Sequence, residues 1–430
     1  MGSGNLKTLG LKYWNNPKVK QILMLFSVNL IGIPLAVVTS IVLTHYLGAD
    51  DYGNYQFLDT FFLFTITIFI LGFFQAANRA LVLNKDKEKA RQYYGATLSI
   101  LGGLFLLMSL CLVIYCLLDH NLQQKGIFKV LLWSIPFGWA YLLQNYFEVL
   151  FQADNRMNLL AIYRIVPKVT LLVGALILYF FFQKTNLNKL ALAWGIYIGG
   201  MLIIGVYVLY RVRPSFKHLR TSVIEIWNFN KSFGFHVYIG TIVGVGIAQL
   251  TGVVISYFGK DNSGVGFYAL ALSLANPLLF IPNTIATTNY KEFAEHSSIP
   301  RKLTQTTILL TLAALIALWV LVPYFIKIFY PSRFEAVVLL NFTVSVGTAL
   351  YGMADYYNRF LGAHGYGKLL RNTAFIVGLL ILVFNFTLIP LFGVKGAAYT
   401  RLLGGLSYFL CTFYYYKRTT AKHKLELANT

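Results

Sequence analysis

Apolar residues fall into long stretches along the chain, and short polar segments separate them. Each stretch reaches about 20 residues, the length that an α-helix needs to cross the hydrocarbon core of a bilayer. Gly and Pro interrupt several of them, as membrane-spanning helices tolerate. Twelve such helices are predicted, at 21–45, 57–77, 93–118, 128–151, 159–182, 190–210, 232–258, 265–290, 304–329, 335–361, 370–390 and 395–416.

Basic residues are distributed unevenly between the segments that connect these helices. With a cytoplasmic N-terminus, the cytoplasmic segments hold 27 Lys and Arg, the outer segments hold eight, and Arg401 lies within a helix. Cytoplasmic loops of membrane proteins are enriched in Lys and Arg, so both termini are predicted to face the cytoplasm. The opening segment "MGSGNLKTLGLKYWNN" has no apolar core and no Ser or Thr at position six. Neither a signal peptide nor myristoylation is therefore expected.

The two halves of the chain carry the same sequence features at a nearly constant offset. Four residues of "YLGADDYG" at 46–53 recur in "YFGKDNSG" at 257–264, 211 positions later. Asn78 and Asn289 share that offset, and later matches follow at an offset of 210. Six helices in each half make the halves parallel repeats, related by a pseudo-two-fold axis along the membrane normal.

The expected architecture is therefore an all-α polytopic membrane protein with twelve transmembrane helices in two six-helix lobes. The linker between the halves is basic and amphipathic, which favours a position along the cytoplasmic face. The predicted divisions are an N-terminal lobe at 1–210, the linker at 211–231, a C-terminal lobe at 232–416 and a cytoplasmic tail at 417–430.

Composition supports a lipid environment. Hydrophobic residues make up 57% of the 430 and charged residues 12%, against about 25% charged in soluble domains. The net charge of +21 is explained by basic cytoplasmic loops that meet anionic lipids, so nucleic acid is not an expected partner. Cys111, Cys116 and Cys411 lie within apolar runs and have no metal-type spacing. No metal or cofactor is predicted.

Three segments resemble a known family. They are "LGADDYGNY" from Leu47, "LGFFQAANRALVL" from Leu71 and "NFTLIPLFGVKGAAYTRLLGG" from Asn385. In this order they resemble the polysaccharide-transporter branch (Wzx-type O-antigen and capsule flippases) of the multidrug/oligosaccharidyl-lipid/polysaccharide exporter superfamily. The lipid II flippases of the same superfamily usually carry fourteen helices, and no additional pair is found.

The resemblance implies a flippase in the bacterial cytoplasmic (inner) membrane. Such a protein moves an undecaprenyl-diphosphate-linked oligosaccharide, the repeat unit of O-antigen, capsule or exopolysaccharide, from the cytoplasmic to the outer leaflet. Its partners would be that lipid-linked oligosaccharide, membrane lipids, a glycan polymerase and assembly proteins.

Polar residues inside predicted helices mark the candidate binding site, because a charge at mid-bilayer costs about 2.5–3.5 kcal/mol on insertion scales. A cationic cavity facing the lipid diphosphate is hypothesised. Its candidate residues are Asn78, Arg79, Arg164, Lys168, Asn289, Arg359 and Arg401. The candidates for ion pairing or coupling are Asp59, Glu148 and Asp355.

Each candidate also has a structural interpretation. Arg79 suits a diphosphate clamp, but it also lies where a basic side chain reaches the cytoplasmic surface. Arg164 and Lys168, four residues apart, form one face that either binds substrate or pairs with Glu148.

The remaining charged candidates leave the same two alternatives open. Asp355 and Arg359 are spaced to satisfy each other, and Arg401 either meets the diphosphate or pairs with Asp59. The aspartates of the repeated turns, Asp50 and Asp261, are expected to bond locally to the backbone.

Other functional classes fit less well. "GAHGYGKL" from Gly362 has the glycine spacing of a phosphate loop, but Leu369 replaces the required Ser or Thr. A polymerase, ligase or glycosyltransferase would need a sizeable outer loop with acid, base or cation ligands, and the outer loops are short, so no enzyme is predicted. A drug/cation antiporter remains an alternative, for which acidic residues should dominate the cavity.

Overall fold

A computed structural model describes residues 17–84, 86–184 and 187–428. Residues 1–16, for which the sequence predicts neither a signal peptide nor myristoylation, lie outside these ranges. The described chain consists of helices and short connections, as the all-α prediction requires. The α-helices are α1 Pro17–Phe69, α2 Phe73–Leu83, α3 Lys87–Leu118, α4 Asn121–Gln124, α5 Phe128–Ser134, α6 Trp139–Ala153, α7 Met157–Phe181, α8 Lys189–Val212, α9 Leu219–Phe229, α10 Phe235–Thr241, α11 Ile247–Phe258, α12 Ser263–Ala275, α13 Pro277–Thr288, α14 Tyr290–Glu295, α15 Arg301–Phe329, α16 Ala336–Ala363, α17 Gly367–Phe392 and α18 Val394–Ala428.

Nine helices of the described chain are long and apolar enough to cross a membrane. Helical segments nevertheless occupy all twelve predicted positions. The span predicted at 21–45 and most of the span predicted at 57–77 fall on α1, which is kinked at Gly48. The span predicted at 128–151 is divided by a 3₁₀ turn at Ile135–Phe137. The last predicted span belongs to α18, which continues into the basic tail. The count of twelve stays a prediction.

The second predicted helix differs from the structure at both ends. Gly48 has φ +75°, which glycine adopts at low cost, and helical geometry resumes directly after it. The helix therefore starts earlier than the predicted residue 57. It ends at Phe69, because Leu71 and Gly72 also have positive φ values, and the short helix α2 follows.

The described chain forms two compact units. The first unit runs through Tyr46 and resumes over Ile68–Tyr238. The second unit contains Leu47–Thr67 and continues from Ile239. The segment Leu47–Thr67 thus belongs to a compact unit formed mainly by the second half of the chain.

Aromatic residues form much of the core of the first unit. Trp194 is fully buried and donates its indole N–H to Ser134 Oγ at 2.8 Å. Tyr146, also fully buried, donates its hydroxyl to the backbone oxygen of Tyr94 at 2.9 Å. Buried phenol and indole groups need such partners, and these bonds connect helices that are distant in sequence.

The segment that links the two halves is attached to α3 of the first unit. Lys89 Nζ lies 2.8 Å from Glu225 Oε1, and the Tyr93 hydroxyl donates to Glu225 Oε2 at 2.7 Å. The Ser215 N–H donates to the Arg91 carbonyl at 2.8 Å. This part of the predicted linker therefore has fixed partners within the first unit.

In the second unit, aromatic residues pack between α14, α16 and α18. Phe293 and Tyr356 make an edge-to-face contact with ring centroids 5.7 Å apart. Tyr357 packs against Tyr416 at 5.0 Å, and the Tyr416 hydroxyl accepts the N–H of Ile299. These contacts fix the ends of the three helices relative to one another.

Large apolar side chains cover much of the outer surface of the helices. Leu106, Phe181, Ile203 and Leu391 are each at least 70% exposed. A soluble protein seldom displays extended apolar surface, whereas lipid chains solvate it readily. This surface and the nine long apolar helices found among the described residues show a multi-pass membrane protein.

Candidate functional site

A cavity of about 380 Å³ lies within the first unit, and we call it the Lys168 cavity. It is formed by the first part of α1 together with α6, α7 and α8. The lining residues are Val28, Gln144, Glu148, Tyr163, Arg164, Pro167, Lys168, Tyr197 and Met201. Residues four apart on a helix lie on the same face, and three such pairs line the cavity: Gln144 and Glu148, Arg164 and Lys168, and Tyr197 and Met201.

Two glycines allow α7 and α8 to approach closely behind this cavity. A Cβ on Gly174 would stand 2.5 Å from Ile196 Cγ2, and one on Gly200 would stand 2.2 Å from Thr170 Oγ1. Small residues permit such close helix packing in membranes. The helix that carries Arg164 and Lys168 is held in place by this contact.

Arg164 and Glu148 form a two-bond ion pair in the Lys168 cavity. The Arg164 Nε donates to Glu148 Oε1 at 3.1 Å, and its terminal nitrogen donates to Oε2 at 2.9 Å. The planar guanidinium matches a carboxylate in this way. Of the two predicted alternatives for Arg164, pairing with Glu148 is therefore the contact that the structure contains.

Lys168 differs from Arg164 in its surroundings. Among the residues with described side chains, no carboxylate lies within the 4.0 Å of an ion pair with its Nζ. The side chain is exposed and lines the cavity. Its Nζ would stand 3.0 Å from a Cβ built on Gly32 of α1, so the ammonium lies directly against that glycine. Among the lining residues that the structure describes, the two cations and one carboxylate give one net positive charge.

Asn78 and Arg79 are not among the residues that line the Lys168 cavity. The Asn78 side-chain amide donates to the backbone oxygen of Val149 at 2.6 Å and so attaches α2 to α6. Arg79 is exposed, with its guanidinium carbon 5.7 Å from the centroid of the Phe233 ring. Both residues belong to the first unit, and their predicted substrate roles stay predictions.

The second unit contains its own cavity, of about 340 Å³, which we call the Arg401 cavity. Arg401 reaches it from α18. Its Nε donates to Thr348 Oγ1 at 3.3 Å, and its guanidinium carbon lies 4.0 Å from the centroid of the Tyr351 ring. No ion pair within 4.0 Å joins Arg401 to Asp59 in the described chain, where its guanidinium contacts Thr348 and Tyr351 instead.

Asp355 is bonded to neutral groups rather than to Arg359, against the predicted pairing. The Tyr408 hydroxyl donates to Asp355 Oδ1 at 2.8 Å, and the Asn283 amide donates to Oδ2 at 3.2 Å. The side chain of Arg359 is exposed. The helical spacing of four was satisfied, but donors on other helices lie closer to the carboxylate.

Asn289 bonds within its own helix end. Its amide donates to the Ile285 carbonyl at 2.8 Å. Asn78, its counterpart in the sequence repeat, bonds to another helix instead. The repeat therefore preserves the residue type but not the contact. Asp59 lies on the segment after the Gly48 kink and is partly buried in the second unit.

The aspartates of the two repeated turns also differ. Asp261 accepts hydrogen bonds from the backbone N–H of Ser263 at 2.9 Å and from its hydroxyl, as predicted. Asp50 instead pairs with Arg333, whose nitrogens lie 3.0 and 3.3 Å from its carboxylate oxygens. The prediction of a local bond for Asp50 was wrong, because an arginine distant in sequence lies within reach.

The sequence did not single out the neutral residues of the two cavities. Gln144 lies four residues before Glu148, and that spacing was a usable signal for one helix face. Tyr351 and Tyr408 could not be selected among 29 Tyr and 35 Phe. Asn358 directly precedes Arg359 and lines the Arg401 cavity.

Known proteins place the chain in a family. A family model described as "Polysaccharide biosynthesis protein" matches residues 19–290, more than half of the chain. The chain belongs to the polysaccharide biosynthesis protein family. A capsular polysaccharide biosynthesis protein, CapF of Staphylococcus aureus, is 21% identical over 415 residues, covering 93% of this chain and 99% of that protein.

Solved structures confirm the fold of this polysaccharide biosynthesis family member. The lipid II flippase MurJ in an inward closed conformation aligns with a TM-score of 0.71 at 15% identity, covering 94% of this chain and 90% of that chain. An inward-facing multidrug resistance MATE family transporter of the MOP superfamily aligns with a TM-score of 0.63 at 12% identity, covering 90% and 95%. The predicted resemblance to a polysaccharide family is confirmed by the family match, and these two structures show the fold. The proteins that share the fold are transporters rather than enzymes.

Proposed function

We propose that the protein is a flippase for an undecaprenyl-diphosphate-linked oligosaccharide, a repeat unit of O-antigen, capsule or exopolysaccharide. It moves this lipid from the cytoplasmic to the outer leaflet of the inner membrane by alternating access. The observation that carries the proposal is the Lys168 cavity. Its lysine lines the cavity and makes no ion pair among the described side chains, and its net charge suits an anionic group.

The two cations of the cavity have different roles. Lys168 presents an ammonium with three donors and acts as a point charge for a phosphate oxygen. Arg164 is held in one orientation by Glu148, so its remaining N–H groups form a fixed second set of donors. The amide of Gln144 adds a neutral hydrogen-bonding group on the same wall. The polyprenyl tail stays in the lipid while the diphosphate occupies the cavity.

The charge of this cavity weighs against a drug/cation antiporter. A site for cationic drugs needs an excess of carboxylates, but Glu148 is already paired with Arg164. A lipid II flippase remains the nearer alternative, because lipid II also carries a diphosphate and the fold of MurJ is shared. The two cargoes differ in their sugars and not in the group that the cavity would bind.

Binding can be tested without knowing the sugars. Purified protein would be titrated with farnesyl diphosphate and, for comparison, with farnesol. We expect saturable binding of the diphosphate alone, weakened about tenfold or more in Lys168→Ala, because one charge-assisted hydrogen bond contributes roughly 1.5–3 kcal/mol. Lys327→Ala removes an exposed lysine at the end of α15 and is the matched control.

Arg79→Ala in the same titration separates two models of the site. Unchanged affinity would leave Arg79 as a surface cation beside Phe233, whereas a comparable loss would extend the site to α2. Equal affinity for farnesol and farnesyl diphosphate in the unaltered protein would contradict the proposal.

Transport itself is tested by complementation. The chain would be expressed in bacteria that lack an O-antigen flippase, across several glycan backgrounds, and in bacteria depleted of their lipid II flippase. Restored surface polysaccharide that is lost with Lys168→Ala at unchanged protein level supports the proposed cargo. If only the strain depleted of its lipid II flippase were rescued, the protein would be a lipid II flippase. If the protein conferred only drug resistance, the result would favour a drug/cation antiporter.

A further inference from the structure

We infer that the Arg401 cavity of the second unit is a separate oxyanion-binding site, in which Arg401 binds a phosphate or carboxylate group. The ligand's identity as part of the transported lipid rests on the proposed function. The existence of the site does not, because it is derived from the contacts of the second unit alone.

The cavity has the size and composition of a small-ligand site. Its volume of about 340 Å³ lies within the range of about 300–1,000 Å³ that is usual for such sites. Apolar side chains such as Val377 and Ile381 form part of its wall, and Arg401, Asn358, Tyr351 and Tyr408 contribute the polar groups. A few polar groups in an apolar wall are typical of sites that orient a ligand.

Close backbone packing fixes the position of Arg401. A Cβ on Gly347 of α16 would stand 2.6 Å from the Arg401 backbone oxygen. A Cβ on Gly405 of α18 would stand 2.4 Å from the Gly347 oxygen. The two helices therefore touch through their main chains at the level of Arg401, and the arginine projects from a rigid crossing.

Tyr351 and Thr348 orient the guanidinium and leave part of it unused. Tyr351 covers one face at 4.0 Å, and Thr348 accepts from Nε at 3.3 Å. Stacking occupies the face of a guanidinium, whereas its hydrogen-bond donors lie in its plane. The two terminal nitrogens of Arg401 make no hydrogen bond to any residue of the described ranges. They present the paired donors that match two oxygens of a phosphate or carboxylate.

Asp355, an acidic residue that interacts electrostatically with Arg401, does not occupy these donors. Asp355 accepts from Tyr408 and from Asn283, and in the described chain it forms neither a hydrogen bond nor an ion pair within 4.0 Å with Arg401. Tyr408 in turn lies beside Tyr351, with ring centroids 5.7 Å apart. Neutral donors thus hold the carboxylate, and the guanidinium retains its charge for a ligand.

Two oxyanion sources fit the geometry, namely the diphosphate of a lipid carrier and the carboxylate of an acidic sugar. The test uses the full chain carrying Lys168→Ala, which removes from the Lys168 cavity the cation that is not paired with Glu148. Inorganic diphosphate and glucuronate would each be titrated calorimetrically into this protein. We expect saturable binding of at least one, weakened about tenfold when Arg401→Lys is added, because lysine keeps the charge but loses the paired donors. Preference for one probe identifies the source.

A second readout locates the binding. Phenylglyoxal modifies arginine side chains, and mass spectrometry would report the rate at Arg401 and, as an internal control, at the exposed Arg301. Saturating probe should slow modification of Arg401 at least about fivefold and leave Arg301 unchanged, as expected when binding removes access to the two donors. The inference would be overturned if neither probe showed saturable binding. It would also be overturned if a probe bound but Arg401→Lys left its affinity unchanged and the probe did not slow modification of Arg401. The two proposals can fail separately. Lys168→Ala should lose binding of farnesyl diphosphate at the Lys168 cavity while the Arg401 cavity still binds its probe.

Discussion

Gly72 and Gly234 contact each other through their backbones in the first unit. A Cβ on Gly72 would stand 2.4 Å from the Gly234 oxygen, and a Cβ on Gly234 would stand 2.5 Å from the Gly72 oxygen. The Asn230 amide donates to the Leu71 carbonyl at 3.1 Å beside this contact, and the Tyr238 hydroxyl donates to the Ile68 carbonyl. Side chains of the later segment thus satisfy carbonyls that the helix break at 70–72 leaves free.

Alanine at either glycine should destabilise the protein. The added Cβ would overlap a backbone oxygen that cannot move independently, and overpacking of this kind costs about 1–3 kcal/mol. Gly72→Ala should cost more than Gly234→Ala, since Gly72 also has φ +81°. Thermal unfolding in detergent measures the effect. Gly102→Ala is the control, because nothing lies within 4 Å of its Cβ, and an equal loss in all three would contradict the contact.

Glu148 and Arg164 should show measurable coupling. Both side chains are about 30% exposed, so solvent screens the pair, and we expect a coupling free energy of about 0.5–1 kcal/mol. Glu148→Gln, Arg164→Gln and the double variant form the cycle, with detergent melting as the measurement. Additive effects of the two substitutions would contradict a direct pair.

Gly32→Ala should impair ligand binding more than stability. The new Cβ would stand 3.0 Å from Lys168 Nζ, the flexible end of a side chain that can move aside at little cost. Displacement of the ammonium would weaken farnesyl diphosphate binding by roughly threefold to tenfold while the melting temperature changes little. Gly199→Ala adds a methyl group on α8 with no neighbour within 4 Å and should leave both quantities unchanged.

Asn262 should be sensitive to substitution, because it joins two other buried polar residues, Ser256 and Asn54. It accepts from the Ser256 hydroxyl at 2.6 Å and donates to Asn54 Oδ1 at 2.9 Å, and it is 1% exposed. Asn262→Ala removes both of these buried hydrogen bonds and should cost about 1–3 kcal/mol. The melting temperature checks this, with exposed Asn228→Ala as the control. Equal melting temperatures for the two variants would refute the network's contribution.

Arg333→Gln should have almost no effect on stability despite its two hydrogen bonds to Asp50. Both side chains are more than half exposed, and exposed ion pairs typically contribute little. The expected change in melting temperature is within the error of the experiment. A loss comparable with that of Asn262→Ala would show that the pair is stronger than its exposure indicates.

The fold was predictable because apolar length and loop charge are strong signals in a membrane protein. The stretches around Lys189–Val212 and Gly367–Phe392 needed no knowledge of tertiary contacts. The break at Leu71 and Gly72 was not predictable, because the residues that stabilise it, Asn230 and Tyr238, are more than 150 positions away. Local sequence carries no information about such partners.

The candidate sites were predictable as a set of charges but not as an arrangement. Intramembrane Arg164 and Lys168 were identified correctly as residues of one face, and both line a cavity. The choice of Arg164 over Lys168 as the partner of Glu148 depends on helix rotation, which spacing alone does not give. Asp355 likewise accepts hydrogen bonds from Tyr408 and Asn283 and does not pair with Arg359, four positions along its own helix.

The discontinuous composition of the second unit has a consequence for synthesis at the ribosome. Leu47–Thr67 leaves the ribosome early, but the residues that it packs with in that unit, such as Asn262 and Arg333, follow only after all of Ile68–Tyr238. At about 5–20 residues per second, the 208 residues from Asn54 to Asn262 and the 283 from Asp50 to Arg333 take roughly 10–60 s. During that interval Asn54 and Asp50 lack these native partners. The early helix therefore depends on temporary contacts with the insertion machinery or lipid until these residues are made.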